Sequence, residues 1–254
     1  MLDCIIQARM GSSRLPGKIM MKIDSNQNVL DSIISQLQHS KLINRIIIAT
    51  TTKNEDDVIE KYCLENSIKI FRGDELDVLD RYFQCAKKFN SKNIVRITAD
   101  CPLIDPQIVD KVISKYRSGN YDYFTNVLNR TFPIGTDVEV FSFKILNDVW
   151  DNAKLPSERE HVTLFIRNNK LKCKIGNFKN KTNLKYIRIT LDRQEDLELL
   201  REIKKKLKQN PILINDIVKL MNKKPELLRI NQNISNNEGI LKSLKTDQDY
   251  VLKD

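Results

Sequence analysis

The sequence predicts an α/β protein whose sheet begins as a series of parallel strands. Three observations carry that expectation. Four apolar, β-branched runs, DCIIQA, RIIIATT, IKIFRG and NIVRITAD, occur in turn along the first hundred residues. Between them lie VLDSIISQLQ, DDVIEKYCLEN and DVLDRYFQCAKKF, whose apolar residues recur at helical intervals; strands alternating with helices mark parallel strands joined by crossovers. The third is QARMGSSRLPGK, directly behind the first run, with Gly11, Gly17 and the cations Arg9, Arg14 and Lys18 in one turn-prone segment. Open α/β sheets bind ligands beyond the carboxyl ends of their strands, where such a loop would stand.

That loop is neither of two familiar phosphate cradles. A P-loop keeps four residues between its glycines and a hydroxyl after its lysine. Here five residues separate Gly11 from Gly17, Pro16 lacks an N–H, and Ile19 follows Lys18. The three-glycine dinucleotide fingerprint is also absent, and the loop is far more cationic than that motif requires. Arginine forks and a lysine point charge on a short turn suit a polyphosphate.

After the fourth run, Asp105 is placed to cap and Pro106 to open the helix DPQIVDKVISKYRSGN. The pattern then becomes mixed. YDYFTN and DVEVFSF predict strands, KILNDVWDNAK and SEREHVTLFIRNN predict helices, and YIRITLD predicts a strand returning to the central sheet. A helical part runs from QEDLELLREIKKKLK to PELLRI. The expected organisation is one domain over residues 1–230, with a nucleotide half of about 1–120, an acceptor or dimer half of about 121–193 and a helical part of about 194–230. Residues 231–254 form a polar, Asn-rich tail, ordered or loose.

Composition excludes several classes. The chain has 254 residues, 41% of them hydrophobic, enough for a sizeable core. No stretch approaches the roughly 20 apolar residues of a membrane span, and the N-terminus does not read as a secretory signal; a cytoplasmic protein with no membrane partner is expected. Five cysteines without CxxC spacing, and only His39 and His161, indicate neither a disulfide framework nor a zinc site. The net charge of +10 invites a nucleic-acid reading. Its densest patch, REIKKKLKQN, has the spacing of a solvated helix face, and aromatics are only 7% of residues, so no nucleic-acid partner is expected.

One local echo bears on chemistry. RITAD (96–100) and RITLD (188–192) each end a β-branched run on an aspartate. Two such carboxylates facing a triphosphate suit magnesium, a hard ion that takes one or two carboxylates and keeps waters. For Asp192 the alternative is a capping box with Glu195. Asp100 has no helix to cap, because Asp105 serves the next one.

Taken together, QARMGSSRLPGK, VRITADCPLID and LDRQEDLELL resemble the cytidylyltransferase family of sugar-activating nucleotidyltransferases, which includes the acylneuraminate and deoxyoctulosonate synthetases. RGDELDVLDRYFQCAKKF, GTDVEVFS, SEREHVT and NEGILKSLK are similar to the branch called spore coat polysaccharide biosynthesis protein F. The resemblance covers nearly the whole chain. It implies a nucleotide-diphospho-sugar transferase fold, Rossmann-like, with a mixed central sheet and helices on both faces. It implies CTP-dependent transfer of a nucleoside monophosphate to a sugar phosphate, polyol phosphate or ulosonic acid, with release of pyrophosphate. By the same resemblance Ala8, Arg9, Met10, Gly11, Ser12, Arg14, Lys18, Asp77, Arg81 and Asp100 hold the nucleotide, Asp77 having helix capping as its alternative. Arg14, Lys18 and Asp100 are then catalytic, and Asp100 with Asp192 holds Mg2+. Relatives are often dimers, which makes a homodimer through residues 156–180 an expectation.

The acceptor is expected at two clusters, Gly135, Thr136, Asp137 and Glu139 in FPIGTDVEVF, and Glu158, Arg159 and His161 in SEREHV. For the second cluster the alternatives are a capping box from Ser157 to Glu160 and a structural histidine. Cys101-Pro102 stands where deoxyoctulosonate enzymes have Glu-Pro, and Arg193-Gln194 where they have Thr-Pro, which leaves the acceptor's identity open. A glycosyltransferase on a similar sheet would carry an Asp-x-Asp pair after a strand; behind Ile97 there is only Asp100.

Overall fold

The computed structural model describes residues 1–235 and 238–252. Strands β1 (Leu2–Gln7), β2 (Arg45–Thr51), β3 (Lys69–Gly73) and β4 (Asn93–Thr98) are the four predicted runs. They pair in parallel in the order β3-β2-β1-β4. Beyond β4 the sheet turns mixed. β6 (Glu139–Ser142) lies antiparallel to β4, β5 (Tyr123–Thr125) antiparallel to β6, and β7 (Ile175–Asn177) parallel to β5.

Alternation along β1 explains why both faces are covered: Cys4 and Ile6 enter one apolar cluster and Ile5 the other. The first face carries α1 (Val29–Leu37), α2 (Asp57–Glu65), α4 (Pro106–Ser118), α8 (Gln194–Lys206) and α9 (Ile214–Lys223). The second carries α3 (Val78–Lys88), α5 (Phe143–Asn152) and the turn between α6 (Pro156–His161) and α7 (Leu164–Arg167). Asp105 caps α4 as expected, accepting from the amides of Gln107 and Ile108, with Pro106 in the first turn.

Two expectations are corrected, and the tail, left open as ordered or loose, includes a helix. YIRITLD is not a strand of the sheet. Its bridge joins Arg188 to Ile134, through the Ile134 amide on the Ile187 carbonyl (2.9 Å) and the Ile189 amide on the Ile134 carbonyl (2.8 Å), and the Leu191 amide goes to the carbonyl of Asp100 (2.8 Å). The segment thus lies against the loops at the sheet's end. SEREHVTLFIRNN is two short helices, broken at Val162, which sits at φ 56°, a strained position for a β-branched residue. Just past the break the Thr163 hydroxyl donates to buried Glu139 (2.5 Å). The predicted tail contains a further helix, α10 (Glu238–Val251), packed on α6.

Candidate active site

In the order β3-β2-β1-β4 the crossovers leave β1 in opposite directions, so the crevice opens between the carboxyl ends of β1 and β4. The loop after β1 lies there. Ala8 continues the ladder, donating to Ala49 (3.1 Å). The Met10 carbonyl accepts from the amides of Ser12 (2.8 Å) and Gly17 (2.9 Å), closing the loop on itself. Gly17 holds φ 69°, a left-handed value that favours glycine. Buried Asp56 clamps the loop from below, taking the Met10 amide on one oxygen (2.6 Å) and the hydroxyl and amide of Thr51 on the other.

Two cations of the loop, Arg14 and Lys18, converge on an acid 178 and 174 residues away. Arg14 Nη2 lies 2.5 Å and Lys18 Nζ 3.0 Å from Oδ1 of Asp192, and Lys18 also donates to the carbonyl of Leu191 (2.6 Å). Arg188 reaches Oδ2 of Asp192 (3.3 Å). Burial by itself would raise the Asp192 carboxyl, but Lys18 and then Arg14 outweigh it and hold the group at about 2. The alternative capping box with Glu195 does not form. Asp196, not Glu195, accepts the amides of Asp192 and Arg193 at the start of α8, so Asp192 caps nothing and its carboxylate faces the loop.

Asp100 stands at the same junction. Its carbonyl accepts from Leu191 and from the Thr190 hydroxyl (3.0 Å), which ties the two aspartate-bearing segments together. Its Oδ1 takes the Thr98 hydroxyl (2.5 Å) and lies 3.5 Å from the Cys101 thiol. Burial, reinforced by Asp100 and Asp137, pushes that thiol well up, so Cys101 is a neutral neighbour and not a nucleophile. Among the described residues, Arg14 Nε is buried without a hydrogen-bond partner, a donor left over for an anion.

A family model described as cytidylyltransferase matches residues 4–229. The chain belongs to the cytidylyltransferase family. It is 36% identical to an uncharacterized protein of Methanocaldococcus jannaschii over 91% of this chain and 94% of that one. It is 32% identical to the spore coat polysaccharide biosynthesis protein SpsF of Bacillus subtilis, over 87% and 94%. A solved cytidylyltransferase from Leptospira borgpetersenii superposes with a TM-score of 0.86 at 33% identity, covering 92% of this chain and 98% of that one. A CMP:2-keto-3-deoxy-manno-octonic acid synthetase complexed with CTP shares the fold, with a TM-score of 0.60 at 15% identity over 81% and 98%. The protein is therefore a nucleotidyltransferase on a nucleotide-diphospho-sugar transferase fold.

The other site residues named from the sequence of this cytidylyltransferase fall into two groups. Near the loop, Arg9 reaches the Glu75 carbonyl (3.4 Å), and a Cβ on Gly11 would come within 2.7 Å of the Glu55 carboxylate. Arg81 is wholly buried, donating to the Asp74 carbonyl (2.9 Å) and shaping the turn behind β3. Asp77 caps α3 through the Asp80 amide (2.9 Å) and takes Arg159 of α6 on its other oxygen (2.5 Å). On the acceptor side, Asp137 forms a bidentate pair with Arg130 at 2.5 and 2.7 Å. Gly135, at φ 98°, lets Ile189 and Thr190 pass so close that a Cβ would stand 2.5 Å from the Thr190 amide. Thr136 and Glu139 are buried among protein partners. The Thr136 hydroxyl donates to Pro133 (2.7 Å), and Glu139 pairs with Arg96 and accepts from Tyr123 (2.5 Å). Glu158 is also buried and accepts the amides of Lys154 and Leu155 (both 3.2 Å), so Glu158 caps α6, in place of the alternative Ser157–Glu160 box. His161 lies 3.0 Å from the Ser243 hydroxyl; burial holds it below the usual histidine value, against Glu160.

Several supporting residues escaped the sequence reading. Asp56, Asp196, Arg130 and Asn126, whose side chain joins Thr136 to Val138, all act by closing loops. The echo held a usable signal: each copy begins with an arginine inside an apolar run, and each arginine needs an acid. Arg96 finds Glu139 and Arg188 finds Asp196 (2.9 and 3.0 Å).

Proposed function

We propose that this cytidylyltransferase transfers the cytidylyl group of CTP to an oxygen of a sugar phosphate, polyol phosphate or ulosonic acid, for surface polysaccharide or glycan synthesis. The observation that supports it is the convergence of Arg14 and Lys18 on Asp192 beside Asp100, at the switch point of the sheet. In the reaction the acceptor oxygen, a phosphate oxyanion or a ulosonic acid hydroxyl that loses its proton to solvent, bonds to the α-phosphorus, and the bond from that phosphorus to the bridging oxygen breaks, its electron pair leaving with pyrophosphate. Positioning and charge neutralisation dominate such a step. Arg14, with its spare Nε donor, and Lys18 turn from Asp192 to the phosphates and stabilise the leaving group. The tight Met10–Gly17 turn, clamped by Asp56, brings backbone close to the same phosphates. Asp137 and Arg130, beside Cys101, face the acceptor.

The donors also fit magnesium. Asp100 and Asp192 offer hard carboxylate oxygens at one junction, Thr98 and Cys101 both approach only Oδ1 of Asp100, and Asp192 is held ionised. Asp100 and Asp192 would hold Mg2+, which would supply Lewis-acid polarisation of the phosphates.

The decisive experiment measures pyrophosphate release with each of the four nucleoside triphosphates, with and without magnesium, against a panel of sugar phosphates, polyol phosphates and ulosonic acids. Release from CTP with at least one acceptor is expected. Release from another triphosphate but not from CTP, or from none across the panel, overturns the proposal.

A further inference from the structure

The family match ends at residue 229, yet α10, which begins at Glu238, reaches the site. Gly239, Ser243 and Asp247 stand four residues apart and so share one face of the helix. That face is the inner one. Asp247 takes the amide (2.9 Å) and hydroxyl (2.5 Å) of buried Ser157 in α6. Ser243 donates to Glu160 (2.5 Å) and meets His161. At the near end the helix touches the cations that flank Asp192. Glu238 pairs with Arg193 (2.8 Å), and a Cβ on Gly239 would stand 3.5 Å from Nη1 of Arg14. The Arg14 guanidinium is therefore paired with Asp192 on one side and faces, on the other, the space that a side chain at Gly239 would fill.

We infer that the first turn of α10 positions Arg14, so that Gly239 is a positioning residue for pyrophosphate binding and release. Its role is steric: 3.5 Å admits a methyl group in ordinary contact, whereas a longer side chain must displace the guanidinium. Alanine is also the better helix former, so Gly239→Ala leaves the helix at least as firm. The far anchors on α6 fix how closely the first turn approaches the loop, which gives α10 a function that the common fold does not supply.

The inference rests on the proposed role of Arg14, and its test separates the two. Affinity for inorganic pyrophosphate is measured by calorimetry for the full-length wild type, Gly239→Ala, Gly239→Leu, Arg14→Ala and the Arg14→Ala/Gly239→Leu double variant, with melting temperatures alongside. Gly239→Ala should bind as the wild type does. Gly239→Leu should bind on the order of 10-fold more weakly at an unchanged melting temperature, and the same change should cost almost nothing once Arg14 is gone, because contacting residues couple in a double-mutant cycle. Unaltered binding in Gly239→Leu, or equal losses in both backgrounds, overturns the inference. If the melting temperature of Gly239→Leu falls, Gly239→Met, with a flexible side chain, is put through the same cycle and judged by the same outcomes. Wild type and Arg14→Ala binding pyrophosphate equally would instead sink the role of Arg14 itself.

Discussion

RITAD and RITLD share a sequence pattern and a destination, yet they reach it by different means. Residues 96–98 are rungs of β4, hydrogen-bonded within the sheet, and Asp100 follows two residues later with Thr98 and Cys101 against its carboxylate. Residues 188–192 lie against loops, held by the Asp100 carbonyl and by the Arg188–Asp196 pair, and their aspartate is gripped by Arg14, Lys18 and Arg188. A ladder positions the first carboxylate through backbone; a charge network positions the second. Of the two aspartates proposed as metal ligands, one is thus held rigidly and the other depends for its place on its ionic neighbours.

The largest effect comes from breaking the two buried pairs. Removing one partner of a buried ion pair costs about 3–5 kcal/mol, because the other charge stays behind. Glu139→Leu strands Arg96, and Asp196→Leu removes the two-point partner of Arg188 and the acceptor of the amides at the head of α8. Urea unfolding should show losses of that size in both. The comparison predicts a difference in function between them: folded Asp196→Leu should also lose turnover, since Asp192 loses its support, whereas folded Glu139→Leu should keep Asp100 in place and retain most of it. Equal residual activity in the two variants would erase the distinction between ladder and network.

Next in size, Asp100→Asn should leave the fold and melting temperature intact while lowering cytidylyl transfer on the order of 100-fold or more, the usual cost of one well-placed electrostatic group. Full activity in that variant, measured by pyrophosphate release, would reject Asp100 as a participant.

The same contrast explains what the sequence could and could not tell. Alternation of periods two and 3.6 was enough for β1 to β4 and their crossovers, because both faces of each strand are apolar and the helices between them are amphipathic. It failed at YIRITLD, where β-branched residues are buried against loops and not in a ladder; hydrophobicity reports burial and cannot name the hydrogen-bond partner. The cationic loop and both aspartates were legible as charges in unusual places. Their capping roles were not, since Asp192, Glu195 and Asp196 all stand within reach of the start of α8, and only geometry selects Asp196. Residues such as Asp56 and Asn126 act by closing loops on main-chain amides, a task that leaves no periodicity and no motif.

The smallest predicted effect isolates the network member by pH. Asp192 is held from 3.8 down to about 2, which corresponds to about 2 kcal/mol of folding free energy. Because its folded value is depressed, this stabilisation is fully present above about pH 4 and is lost as the pH falls through about 2. Glu139 is also held low, by Arg96 and Arg167 against its burial, so acid sensitivity persists when Asp192 is removed. The informative quantity is therefore the gap between wild type and Asp192→Asn in urea unfolding at stepped pH. That gap should narrow by about 2 kcal/mol between pH 5 and pH 1.5. A gap independent of pH would mean that Arg14 and Lys18 do not hold the carboxylate in solution, and that the loop reaches the phosphates without Asp192 as its anchor.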